Sequence, residues 1–152
     1  MQDLRDYAAR SRRLDTVWTI EIQTLPTNTD RILDAVMKVH PLRFGRSERN
    51  ANISAPGRET AQPMHSSTTS THKDGYDAGQ TETYPMVELK ISVKRDLATL
   101  EAVIDAIIDV DHYEEPVIFV REDWASRAAY DPKSDTPNRW WNNGVGLPDP
   151  IE

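Results

Sequence analysis

The chain has 152 residues, a formal charge of −7 and a pI near 5.1, so it lacks the excess of Lys and Arg that drives sequence-independent binding to nucleic acid or anionic membranes. It contains no cysteine, which excludes a disulfide framework, a thiolate metal site and a cysteine nucleophile. No run of about 18 apolar residues is present to insert into a bilayer, and the expectation is a soluble cytoplasmic protein.

Residues 1–15 read as an N-terminal arm: it carries Arg5, Arg10, Arg12 and Arg13 but also Asp3 and Asp6, and no apolar segment follows that would make a targeting leader. Residues 16–25 then alternate, with Trp18, Ile20 and Ile22 on one face and Thr19, Glu21 and Gln23 on the other, the period of a half-wet strand. Pro26 ends it. Thr27 with Asp30 predicts a capping-box-like start to a helix whose Ile32, Leu33, Val36, Met37 and Val39 share a face. Pro41 closes that helix, and a short strand is expected around 42–45.

From about 46 to 83 the chain is rich in Ser, Thr and Gly, with few large apolar residues, and predicts a long loop that is functional or disordered and has room for a hairpin. Order returns at 86–93, where Val87, Leu89, Ile91 and Val93 alternate with Glu88, Lys90 and Ser92. Asp96 is the expected cap of a helix carrying Leu97, Leu100, Val103, Ile104, Ile107 and Ile108. Residues 117–120 make a fully apolar strand. The order β-α-β, long loop, β-α-β predicts an α+β, ferredoxin-like sandwich: an antiparallel sheet, two helices on one face, and the loop between strands two and three. That domain covers 16–124, with 46–83 as an insertion. Residues 125–152 form a C-terminal extension whose adjacent Trp140 and Trp141 are expected to pack back onto the body or a neighbouring subunit. About two thirds of the chain is left to build a core, so self-association would help it.

These residues resemble the superfamily of PII signalling proteins and CutA divalent-cation-tolerance proteins. Phe44-Gly45-Arg46 looks like the segment that enters the long T-loop of PII proteins, residues 84–90 look like the strand that leaves it, and Val117 to Val120 resembles the last core strand. Tyr113-Glu114-Glu115-Pro116 is similar to the CutA turn. The resemblance implies a homotrimer with ligand clefts between subunits, an adenine nucleotide or a divalent cation as ligand, and a loop whose response to that ligand is read by a regulated protein or transporter. Carried over by position, Phe44, Gly45 and Arg46 would approach an anionic ligand, where backbone amides and a guanidinium suit a phosphate. Tyr113, Glu114 and Glu115 would form the other wall. They replace the PII glycine-rich segment, and their carboxylates repel a triphosphate unless a cation lies between.

The turn also stands on its own chemistry. Asp111, His112, Glu114 and Glu115 gather carboxylates and an imidazole, with His112 and Glu114 the metal-ligand candidates; the plainer reading is a helix end paired with arginines. Arg43, Arg46, Arg49 and Arg58 make a basic patch at the loop entrance, for an anion or merely for solvation beside Glu48 and Glu59. Arg49, Arg58 and Tyr76 are the candidate partner contacts. His65 and His72 fit no zinc signature. No nucleophile stands beside a base in any known catalytic motif, so the chain reads as a non-enzyme. The function expected is a PII-like trimeric sensor of a small anionic ligand or nucleotide; the alternatives are a CutA-like divalent-cation-binding trimer and an interaction module without a ligand.

Overall fold

The computed structural model describes Leu4, Ala8, Ala9 and residues 12–68 and 78–128. The expectations for Tyr76, His72, Trp140 and Trp141 lie outside the described residues. The strands are β1 (Ala8–Ala9), β2 (Arg12–Thr24), β3 (Asn52–Ile53), β4 (Gly57–Ala61), β5 (Glu82–Lys94) and β6 (Val117–Ala128), and the helices are α1 (Thr29–Met37) and α2 (Leu97–Ile108). All pairings are antiparallel: β2 lies between β6 and β5, with β1 pairing its start, and β5 in turn pairs β3 and β4. Counting β3 and β4 as one interrupted strand, the order across the sheet is fourth, first, third, second, with a helix in each β-α-β crossover. That is the ferredoxin-like plan, and both helices lie on one face.

The alternation in β2 and β5 decides which face the helices cover. Ile20 opposes Ile91 and Ile22 opposes Leu89, so one row of branched side chains from each strand meets on the same side. Those four are at most 2% exposed, and they pack with Ile32, Leu33 and Val36 of α1 and Val103 and Ile107 of α2. Each such side chain contributes about 1.5–3 kcal/mol by leaving water. The ends of the helical stripes fall outside the core, with Val39, Leu97 and Ile108 about half exposed or more.

Asp96 caps α2 as expected: its carboxylate accepts from the Thr99 amide (2.9 Å) and hydroxyl (2.7 Å), and these bonds hold the carboxyl below its usual range. The start of α1 differs from expectation. A 3-10 turn, Pro26–Asn28, precedes the helix, Asn28 takes the cap position without a side-chain cap bond, and the Thr29 hydroxyl donates to the Pro26 carbonyl. Proline's fixed φ favours this tight entry over a capping box.

The second strand also differs. Residues 42–45 are not a strand: Leu42 has φ +46° and is 1% exposed, plugging the core from a left-handed turn whose amide donates to His40 Nδ1 (3.0 Å). Phe44 and Ser47 form an isolated bridge, and Arg49, at φ +57°, pairs with Asp30 and Asp34 of α1. The strand lies further on, as β3 and β4, so the expected 46–83 loop is partly a hairpin against a β5 that starts at Glu82. β6 likewise runs past 124 to Ala128.

The helix-free face of the sheet is mixed. Glu21, its side chain only 14% exposed, sits between Lys90 (3.4 Å) and Arg121 (3.3 Å), while Phe119 and Val117 stay partly in solvent. Among the described residues no helix is long and apolar enough to cross a membrane.

Candidate functional site

At the end of β2 the chain builds a small polar network. The Asp111 side chain is fully buried; it accepts from the Tyr113 amide (2.8 Å) and, more weakly, from the Thr24 hydroxyl (3.4 Å). Asn28 donates to Thr24 Oγ1 (3.2 Å) and lies 3.4 Å from His112 Nδ1. Thr24 and Asn28 are buried, so the 3-10 turn after β2 and the turn after α2 hold each other in place. The Asp111 bond to the amide two residues on holds the bend of the backbone at 112–115.

The bend opens onto a cleft of about 560 Å³. Its floor is apolar, from Leu25 and Val117, and its walls are Tyr84 of β5, the 112–115 turn, and residues 59–68 of β4 and the segment after it. Glu59, Glu114 and Glu115 all line it, so the two adjacent glutamates share one cavity because the turn is bent rather than extended. Glu114 reaches across: its carboxylate accepts from both the Thr68 amide (3.1 Å) and the Thr68 hydroxyl (2.9 Å). The Tyr113 hydroxyl is buried and finds no hydrogen-bond partner of normal geometry among the described residues. Burial first, and then the Glu59 carboxylate, pushes its pKa upward, so it stays protonated. The Tyr113 ring stacks obliquely on His112, with centroids 3.9 Å apart.

The charged turn at 111–116 could be read in the sequence; Glu59, Thr68 and Tyr84, which line the same cleft, could not, because the pairing of β4 with β5 brings them there. Phe44 lies elsewhere. It lines a separate cavity of about 200 Å³ with Arg43, Asn52, Lys90 and Ser92, and the Arg127 guanidinium sits 4.3 Å from its ring centroid. Tyr84 and Lys90 are six residues apart on one strand, about 20 Å. Within one chain, then, Phe44 and the 113–115 turn line different cavities. Of the loop arginines, Arg43 pairs with Glu48, Arg49 is held against α1, and Arg58 extends from the exposed face of β4. Among the described residues no three His, Cys, Asp or Glu side chains gather closely enough to hold a metal ion, so His112 and Glu114 do not form a cage by themselves.

No protein-family model matches the sequence, and no curated protein sequence does. Solved structures do match. A Bacillus cereus protein related to NIF3 aligns over 72% of this chain at 16% identity with a TM-score of 0.56, and this chain spans 26% of that one. The likeness is one of fold. The periplasmic divalent cation tolerance protein CutA of Archaeoglobus fulgidus is similar over 69% of this chain and 81% of its own (14% identity, TM-score 0.47). CPII of Thiomonas intermedia, a nitrogen regulatory PII-like protein bound to ADP, AMP and bicarbonate, is similar over 77% of this chain and 100% of its own (11% identity, TM-score 0.48).

Proposed function

We propose that this chain is a PII-like regulatory protein: a cytoplasmic, non-catalytic homotrimer that binds a small ligand at its clefts and signals through the segment between β3 and β5. The observation that carries this reading is the pair of hydrogen bonds from Thr68 to Glu114, which ties the long segment to the turn across the cleft. A ligand that enters must contact or displace this tie. It therefore favours one arrangement of the segment by its differential affinity, and a partner protein reads the difference. The anionic or nucleotide ligand expected from the sequence requires cations, and among the described residues the one-chain cleft supplies none.

Native mass spectrometry and limited proteolysis test the proposal. A trimer is expected, with cleavage within 50–80 altered by ADP or another cleft ligand. A monomer whose cleavage pattern no ligand changes would end it. A CutA-like trimer with a divalent cation at the turn is the second reading, favoured by His112 and the glutamates of the same cleft; metal retained in the native mass would support it.

A further inference from the structure

The cleft at the 112–115 turn has a chemistry opposite to that of a phosphate site. Three carboxylates line it, from Glu59, Glu114 and Glu115, and no Lys or Arg does among the described residues. A phosphate placed there meets like charge from three carboxylates. The cavity of about 560 Å³ falls within the range of about 300–1,000 Å³ typical of small-molecule sites. Two tyrosine rings, from Tyr84 and Tyr113, form part of its wall, and a cation is attracted to such faces. The Tyr113 hydroxyl is buried beside the Glu59 carboxylate without a bond of normal geometry to it, and offers a neutral donor and acceptor to whatever enters.

We propose that this cleft binds an organic cation, a primary ammonium or polyamine, with Glu59 and Glu115 as its counter-charges and the tyrosines as its walls. The inference rests on the reading of the cleft as a ligand site and assigns the class of ligand. An organic ammonium is favoured over a bare metal ion because the carboxylates are spread around an apolar floor and do not converge in threes. Glu114 is already engaged by Thr68, so a ligand ammonium that draws it away releases the tie. That links occupancy to the position of the 59–68 segment.

The test is isothermal titration of the intact protein with spermidine, with ADP and manganese chloride as competing probes, for the wild type and the Glu59→Gln/Glu115→Gln variant. Two exposed charges of α2 removed instead, by Glu101→Gln/Asp105→Gln, control for non-specific attraction to an acidic chain. Saturable spermidine binding is expected, weakened at least about tenfold by the cleft pair and unchanged by the helix pair. Tyr113→Phe, which keeps the ring, should weaken it by a smaller factor. Equal loss in both paired variants, no saturable heat, or saturation by manganese or ADP with the same dependence on Glu59 and Glu115 would each overturn the proposal. If spermidine binds and proteolysis within 50–80 does not change, the ligand class stands and the signalling reading falls; if ADP alone binds and changes cleavage, the reverse holds.

Discussion

Replacing Glu114 with alanine removes the carboxylate that accepts from the Thr68 amide and hydroxyl, and its effect can be sized from the two bonds. Hydrogen bonds to a charged acceptor contribute about 1.5–3 kcal/mol when buried, but Glu114 and Thr68 are both exposed, and water replaces part of each bond. An estimate of about 1–2 kcal/mol for the pair follows, equivalent to a factor of about 5–30 in the population of the released state. Thr68 carries its own reporter, since its amide is one of the donors. Amide hydrogen exchange there, measured by NMR under conditions where closing outpaces exchange, should accelerate by that factor in Glu114→Ala. The amides of Ile20 and Leu89 in the sheet should not change. Glu114→Gln keeps an acceptor oxygen without the charge and should fall between. An unchanged Thr68 rate in Glu114→Ala would refute the coupling between the turn and the long segment, and the signalling reading depends on that coupling.

Three further outcomes are expected. Leu89 is fully buried between β2 and β3, so Leu89→Ala should cost about 2–5 kcal/mol, seen as a lower urea midpoint at unchanged slope, whereas Val39→Ala, half exposed, should stay within about 0.5 kcal/mol; similar shifts for both would contradict the assigned core. Burial lowers the pKa of His40, whose Nδ1 must stay unprotonated to accept the Leu42 amide. The unfolded chain therefore binds that proton more readily, so stability should decline as pH falls from about 6.5 through the folded-state value, and a His40→Gln variant should show a flatter profile over that window. Arg49 pairs with two aspartates from a left-handed backbone; Arg49→Ala loses the pairs and keeps the strain, while Arg49→Gly relieves it, so the glycine variant should be the more stable by about 1 kcal/mol in thermal or urea unfolding.

The parts of the fold that could be read from the sequence are those whose pattern is set by a single buried face. β2, β5, α1 and α2 each present one apolar row to a shared core, and their periods of 2 and 3.6 survive in the residue order. β3 and β4 have no such row. Asn52, Gly57, Arg58 and Thr60 are exposed on an edge, and only the hydrogen bonds offered by β5 make strands of them. Leu42 misled for the opposite reason: a large apolar residue beside Pro41 suggests a strand, yet its side chain reaches the core from a left-handed turn. The 111–116 turn was visible because its charged residues are contiguous, whereas the opposite wall of the cleft comes from 59–68 and Tyr84 and exists only through long-range pairing. The resemblance to PII and CutA proteins joined Phe44–Arg46 and the turn in one site, whereas within a single chain Phe44 and the turn line separate cavities.

The unequal pairing along β2 has a consequence for how the molecule is assembled. Its partnership with β5 stops at Val17, but that with β6 continues to Arg12 opposite Ala128, so five residues of β2 and five of β6 form a ribbon beyond the sheet that β5 supports. β1 adds only two residues to it, at Arg12 and Arg13, and a ribbon so little supported is marginal in water. It should therefore form after the central sheet and open before it, and the amides of 12–16 and 124–128 should exchange faster than those of the central sheet. Substitutions at Leu14 or Trp124 would then loosen this extension without altering the fold of the core.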